Sequence, residues 1–172
     1  MSDRFAHHLR LDRIRDGERV ALVADDAERT GIARRLGLGA LSCLEAHAVL
    51  SCSGEVIRAR GRLAAALEQS CVVTAEPVPA HVDEPFDLVF MPEPPAGRAD
   101  EEIELGGGDL DVIFHDGAEI DLGGAIADTL ALCLDPYPRS AGADAALKEA
   151  GVMTEEQASP FAVLARLRKG DS

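Results

Sequence analysis

Two stretches of alternating hydrophobicity, Ala40 to Leu50 and Glu55 to Leu67, meet at Ser53-Gly54 and constrain this chain more than any other feature. Alternation of period two puts every second side chain on one face of a strand, and a Ser-Gly pair between such runs marks a turn. The two runs therefore read as strands folded back on each other, with one face available for a core. In the second run Arg58, Arg60 and Arg62 alternate with Ile57, Ala59 and Leu63, so the three guanidiniums project from one face.

The rest of the chain supplies partners for that hairpin. His8 to Ile14 predicts a first strand with Leu9 and Leu11 on one face, and Val20 to Ala24 predicts a second. Asp25 then opens a helix, with Glu28 in capping-box position, Ile32 and Leu36 as its buried stripe, and Gly37 as its stop. Arg34 and Arg35 suit the negative end of that helix. The second strand, helix and third strand read as a βαβ-like opening. Cys71 to Glu76 and Phe86 to Met91 predict a further pair linked by Pro77-Val78-Pro79, with Phe86, Leu88 and Phe90 on one face and Asp87 on the other. Leu110, Val112 and Phe114 alternate up to an Asp116-Gly117 turn.

Asp121 reads as the N-cap of a helix in which Leu122, Ile126, Leu130 and Cys133/Leu134 recur at helical spacing, with Asp128 opposite. Gly123 and Gly124 in its first turn allow close packing, and Asp135-Pro136-Tyr137-Pro138 ends it. Ser159 and Pro160 open a last helix carrying Phe161 and Leu164 and stopping at Gly170. Between these elements, residues 92–108 combine three prolines, the acidic run 100–104 and three glycines, and read as a mobile acidic loop. The expected fold is a single α+β domain over residues 1–172. Its curved, mainly antiparallel sheet, open or partly closed into a barrel, carries two or three packed helices.

Charge is unevenly spread. Residues 1–70 hold 11 arginines against 10 acids, whereas residues 71–140 hold Arg98 and Arg139 against 16 acids. The net charge of −14 therefore belongs to the middle of the chain. A field of that sign repels phosphate backbones and attracts basic surfaces. Aromatic residues make up 3% and Trp is absent, which leaves little stacking surface for single-stranded nucleic acid. No apolar run approaches the roughly 20 residues of a membrane span, and Met1 to Arg15 lacks the apolar centre of a secretory signal. The expected location is cytoplasmic, with neither membrane nor DNA as a partner.

No pattern carries catalysis. There is no G-x-S-x-G, and no serine or cysteine stands in a recognisable nucleophilic setting, so a non-enzymatic protein without cofactor is expected. His115-Asp116, beside Gly117, reads as a hairpin tip. Asp109, Asp111, Asp116 and Glu119 lack the spacing of a calcium loop and read as exposed strand and turn acids. Cys43, His47, Cys52 and Cys71 match no standard zinc spacing, and the cysteines read as small buried hydrophobes. Gly106 to Gly108 lack the Lys-Ser/Thr of a phosphate loop. Arg58, Arg60 and Arg62 fit either RNA phosphate or carboxylates of the same molecule.

"QSCVVTAEPVPAHVDEPFDLVF", the acidic loop, "DGAEIDLGGAIADTLALCLDPYPR" and "SPFAVLARL" together resemble the bacterial YceD family, described as large ribosomal RNA subunit accumulation protein, in its alphaproteobacterial form. The resemblance covers residues 69–168, with a weaker echo from residue 8. Its motif falls on Cys71, Glu76, Pro77, Asp121, Leu122, Asp128, Leu130, Pro136 and Pro138. Many members pair a cysteine before the Glu-Pro and carry another after the helix. Here Gln69-Ser70 precede Cys71 and Arg139-Ser140 follow the prolines, a departure that counts against a shared metal or redox site. The resemblance implies a role in ribosome biogenesis. Joined to the charge distribution, it points to a basic ribosomal protein or assembly factor held by the acidic half, with Glu101, Glu102 and Glu104 as candidate contacts. The alternatives are direct RNA contact by Arg58, Arg60 and Arg62 with Arg34 and Arg35, and an acidic mimic of nucleic acid.

Overall fold

A computed structural model describes residues 5–93 and 111–152. Their elements are β1 (His8–Arg10), β2 (Arg19–Val23), α1 (Asp26–Leu36), β3 (Ala40–Ser53), β4 (Val56–Ser70), β5 (Pro77–Pro92), β6 (Asp111–His115), β7 (Glu119–Asp121), α2 (Leu122–Cys133) and α3 (Ala143–Glu149). The described residues fall into two compact units, one over 5–69, 79–93 and 111–136, the other over 70–78 and 137–152. The acidic run of the 92–108 segment and the helix expected from Ser159 lie outside the described residues.

The first unit is built on the expected hairpin. β3 and β4 pair antiparallel from Ala40↔Glu68 to Ser53↔Val56, and the turn between them places Gly54 at φ +63°. A register shift between Leu41 and Cys43 moves the buried positions of β3 from Leu41 to Leu44, Ala46, Ala48 and Leu50. β4 contributes Ile57, Ala59, Leu63, Ala65 and Leu67 to the same face. These residues join Phe86, Leu88 and Phe90 of β5, Ile32 of α1 and Leu122, Ile126 and Leu130 of α2 in one core. Both long helices start as their sequences dictate. Asp25 and Glu28 form a reciprocal capping box on α1, Gly37 ends it at φ +66°, and Asp121 caps α2.

The larger sheet runs β2-β3-β4-β5-β6, and β1 pairs with β7 in a separate ribbon. Its mainly antiparallel character matches the expectation, apart from a parallel β5–β6 ladder. No barrel closes among the described residues, because β2 and β6 remain edges while the two short strands pair with each other. The opening is not βαβ either, since β2 lies antiparallel to β3, from Arg19↔Val49 to Val23↔Glu45. The first strand is shorter than expected, because Leu11–Arg13 turns into a 3-10 helix.

Three other expectations are corrected. Cys71 to Glu76 forms a turn and not a strand, and β5 begins at Pro77 and absorbs the prolines. β6 pairs with β5 only at Leu88–Pro92, so Pro77, Pro79 and Pro85 lie where one side of β5 has no strand among the described residues. A residue without an N–H is tolerated there. In β6 it is His115 that is buried, while Phe114 is 53% exposed. The short helix α3 was not expected from the sequence, whose four alanines in 143–150 form no strong apolar stripe.

Gly61 shows how tightly the sheet packs. A Cβ there would lie 1.9 Å from the His47 carbonyl oxygen and 2.7 Å from Cζ of Phe86. Backbone on one side and a core ring on the other leave no cheap adjustment. Gly61→Ala is therefore expected to destabilise the chain by about 2–3 kcal/mol, read as a lowered urea midpoint; an unchanged midpoint would contradict the packing described.

Candidate functional site

The arginine face leaves β4 as its alternation requires, but its charges are met from within. Arg58 donates from Nε and Nη2 to both carboxylate oxygens of Asp87, each at 2.6 Å, and Arg60 Nε reaches the same carboxylate at 3.0 Å. Arg62 pairs with Asp83. The pairs 58–87 and 62–83 run in opposite senses along β4 and β5. Hydrogen bonds from Arg58 and Arg62 hold the Asp87 and Asp83 carboxyls below their ordinary values. On α1, Arg35 pairs with Asp128 of α2 at 3.1 Å.

A cleft of about 400 Å³ opens among β6, β7 and α2. Ile113 and Phe114 line it, together with His8, Asp116, Glu119, Asp121 and Asp128, and among the described residues no lysine or arginine does. Local sequence places these acids. Asp121 Oδ1 accepts from Gly124 N–H at 2.9 Å and from His7 N–H at 3.0 Å. Gly123 permits that close approach, since a Cβ there would lie 2.6 Å from the Phe5 carbonyl oxygen. Asp116 accepts from Ala118 N–H at 2.9 Å, and this backbone hydrogen bond keeps its carboxyl below the usual range. Glu119 meets His8 Nδ1 at 3.0 Å.

His115, beside the cleft, is buried with both ring nitrogens engaged by main chain. Nδ1 accepts from Gly117 N–H at 3.1 Å, which leaves Nε2 to donate to the Glu55 carbonyl at 2.9 Å. This arrangement assigns the neutral Nε2–H tautomer. The expected hairpin is not formed: β6 pairs with β5 and β7 with β1, so the chain only bends between them, with its histidine folded inward.

In the second unit the turn of Cys71 to Glu76 gathers a small polar cluster. Three backbone N–H groups donate to Cys71 Sγ, those of Val73 and Thr74 at 3.4 Å and of Ser140 at 3.2 Å. Thr74 Oγ1 donates to Glu76 Oε2 at 2.9 Å and lies 3.0 Å from Ser140 Oγ. Val72 N–H donates to the Pro138 carbonyl at 2.9 Å. Burial of the thiol opposes its ionisation, yet the hydrogen bonds from Ser140 and Thr74 outweigh it and bring Cys71 from 9.0 to about 6. Hydrogen bonds from Ser140 and Thr74 likewise hold Glu76 below its ordinary value.

The nine motif positions thus separate. Asp121, Leu122, Asp128, Leu130 and Pro136 build α2 and its exit in the first unit, whereas Cys71, Glu76 and Pro138 meet in the second; Pro77 starts β5. Thr74 and Ser140 were missed in the sequence, where nothing but proximity to Cys71 and Pro138 marks them. Cys43, Cys52 and Cys133 are half-buried rather than fully buried, and no group of three or more metal-ligating side chains occurs among the described residues. Burial raises the thiols of Cys52 and Cys133. Asp109, Glu101, Glu102 and Glu104 lie outside the described residues.

A family model described as Large ribosomal RNA subunit accumulation protein YceD matches residues 59–168, more than half of the chain. The chain belongs to the YceD family. No curated protein and no solved structure matches it. The YceD match begins inside β4, earlier than the resemblance at Gln69, and so takes in Arg60, Arg62, the cleft acids and the Cys71 turn. Its description links the family to accumulation of the large ribosomal RNA subunit, and hence to ribosome biogenesis. No helix among the described residues is long and apolar enough to cross a membrane.

The Cys71 thiol offers a direct check. An acid whose folded value is depressed stabilises the native state above its unfolded value, and that contribution fades as pH falls through the folded one. Stability contributed by Cys71 is therefore complete above about pH 9 and lost as pH falls through about 6. Thiolate absorbance of the native chain, compared with Cys71→Ala, is expected to show one group titrating near 6 that returns to the ordinary range in denaturant. Thr74→Val should raise it; a native Cys71 titrating near 9 would contradict the cluster.

Proposed function

We propose that this chain, a YceD member of the alphaproteobacterial form, acts in the cytoplasm as a non-enzymatic ribosome-biogenesis factor. It supports accumulation of large-subunit ribosomal RNA by binding a basic ribosomal protein or assembly factor through its acidic half. The observation that carries this reading is the cleft at β6, β7 and α2, which Asp116, Glu119, Asp121 and Asp128 line and which, among the described residues, no lysine or arginine lines, although Arg35 pairs with Asp128. Opposite charge across a surface speeds encounter and fixes orientation, and salt screens it. The rival reading, direct RNA contact by Arg58, Arg60 and Arg62, is weakened by Asp83 and Asp87, which already occupy those guanidiniums.

Two measurements test the proposal. A strain lacking the gene is expected to show a lowered ratio of large- to small-subunit ribosomal RNA, restored by wild-type protein and only weakly by a chain carrying Asp116→Asn, Glu119→Gln and Asp128→Asn. Binding of the purified chain to ribosomal particles should fall by roughly tenfold between about 50 and 250 mM salt. An unchanged ratio, or binding indifferent to salt and to the three substitutions, would sink it. Loss of particle binding in an Arg58, Arg60, Arg62 triple alanine variant alone would favour RNA contact.

A further inference from the structure

The edge of the larger sheet at β6 carries an inference that rests on the acidic-cleft reading and specifies how that site holds its partner. Glu93 N–H donates to the His115 carbonyl at 3.1 Å, and His115 pairs with Pro92 in the parallel register. Along a strand, the N–H and C=O of one residue point to the same side and alternate from residue to residue. His115, Ile113 and Asp111 therefore turn their main-chain groups toward β5. Val112 and Phe114 turn theirs away, where no strand pairs with them among the described residues.

The cleft follows this edge. Ile113 packs against the core, whereas Phe114 is 53% exposed, so the two side chains leave opposite faces of β6. A cleft lined by both wraps the rim of the strand. Unpaired main chain of this kind is a template for another strand, and proteins guard such edges with charge. Here the border is acidic in balance: Asp116, Glu119, Asp121 and Asp128 line the cleft, with His8 on Glu119 and Arg35 on Asp128. It repels a second copy of the same edge and admits a basic one. The other sheet edge, β2, carries Arg19 and the exposed Val23.

We infer that the protein partner is bound by strand addition: an extended segment rich in lysine and arginine pairs with the outward N–H and C=O groups of Val112 and Phe114. Its basic side chains meet the cleft carboxylates, and the exposed ring of Phe114 packs an apolar residue between them. Main-chain pairing supplies affinity and alternate side-chain contacts supply selectivity, as in other cases of strand addition.

Proline isolates the main-chain contribution. Phe114→Pro removes an outward N–H and none of the bonds to β5, a substitution an edge strand tolerates. The probe is a fluorescent peptide of about ten residues alternating lysine or arginine with valine, titrated against the full chain. Phe114→Pro is expected to weaken it at least tenfold with the unfolding midpoint retained, and Phe114→Ala to weaken it less. In wild-type chain, hydrogen exchange at the Val112 and Phe114 amides should slow when the peptide is added. This second reading decides the matter if the proline variant is unstable.

Saturable, salt-sensitive binding that leaves those amides unprotected and is indifferent to Phe114→Pro would overturn strand addition while leaving the acidic-cleft reading standing. Indifference to Glu119→Gln and Asp128→Asn as well would remove both. A concentration-dependent dimer that Phe114→Pro abolishes would show the edge pairing with a second copy, and would overturn the proposal too.

Discussion

The β3–β4 ladder must bury Leu44, Leu50, Leu63 and Leu67 on one side of the sheet, and period-two geometry then commits the other side to Arg58, Arg60 and Arg62. A slip of one residue would exchange the two sets, exposing leucines and burying guanidiniums, so the core pins the register. β5 responds to both faces at once. Phe86, Leu88 and Phe90 extend the core, while Asp83 and Asp87 meet the arginines from the neighbouring strand. Gly61 belongs to the same constraint, because it lets the Phe86 ring lie against the β3 backbone.

Where the sheet ends, a second set of contacts shapes the cleft. Asp121 caps α2 and holds the His7 N–H with the same oxygen, so one carboxylate ties the N-terminal segment to the helix start. His115 ties the β6–β7 turn to the β3–β4 turn through the Glu55 carbonyl and the Gly117 N–H. The acids that line the cleft thus sit on short, well-anchored pieces of chain. Basic groups on β4 find internal partners, and two cleft acids are engaged as well, Glu119 by His8 and Asp128 by Arg35, but among the described residues no lysine or arginine lines the cleft itself. That difference in local pairing says more about binding than the total charge of −14.

The Cys71 turn is organised by different physics. Its thiol is buried, and desolvation alone would keep it neutral, but three N–H groups converge on the sulfur and reverse that preference. Thr74, Glu76 and Ser140 complete a hydrogen-bonded cluster from residues far apart in sequence. It gives Cys71 a hydrogen-bonded place in the fold without a second thiol beside it.

Much of this was legible in the amino-acid sequence. The hairpin at Ser53-Gly54, the capping box of Asp25 and Glu28, the Asp121 cap and the Leu122, Ile126, Leu130 stripe all follow from short-range rules of period, capping and turn chemistry. Those rules act within a few residues, so the local sequence is enough to determine them. Strand order and direction are not local. That β2 runs antiparallel to β3, that β6 joins β5 in parallel, and that Phe114 faces solvent while His115 is buried depend on which distant surfaces meet. The same holds for the cleft, whose acids come from the β6–β7 turn, β7 and α2, and for the arginines, whose fate depended on Asp83 and Asp87 lying across the neighbouring strand. Sequence determined the elements and their inner faces, because backbone and side-chain preferences are local. Tertiary structure decided which charges are paired and which stand open, because pairing needs residues far apart in the chain to come within a few ångströms.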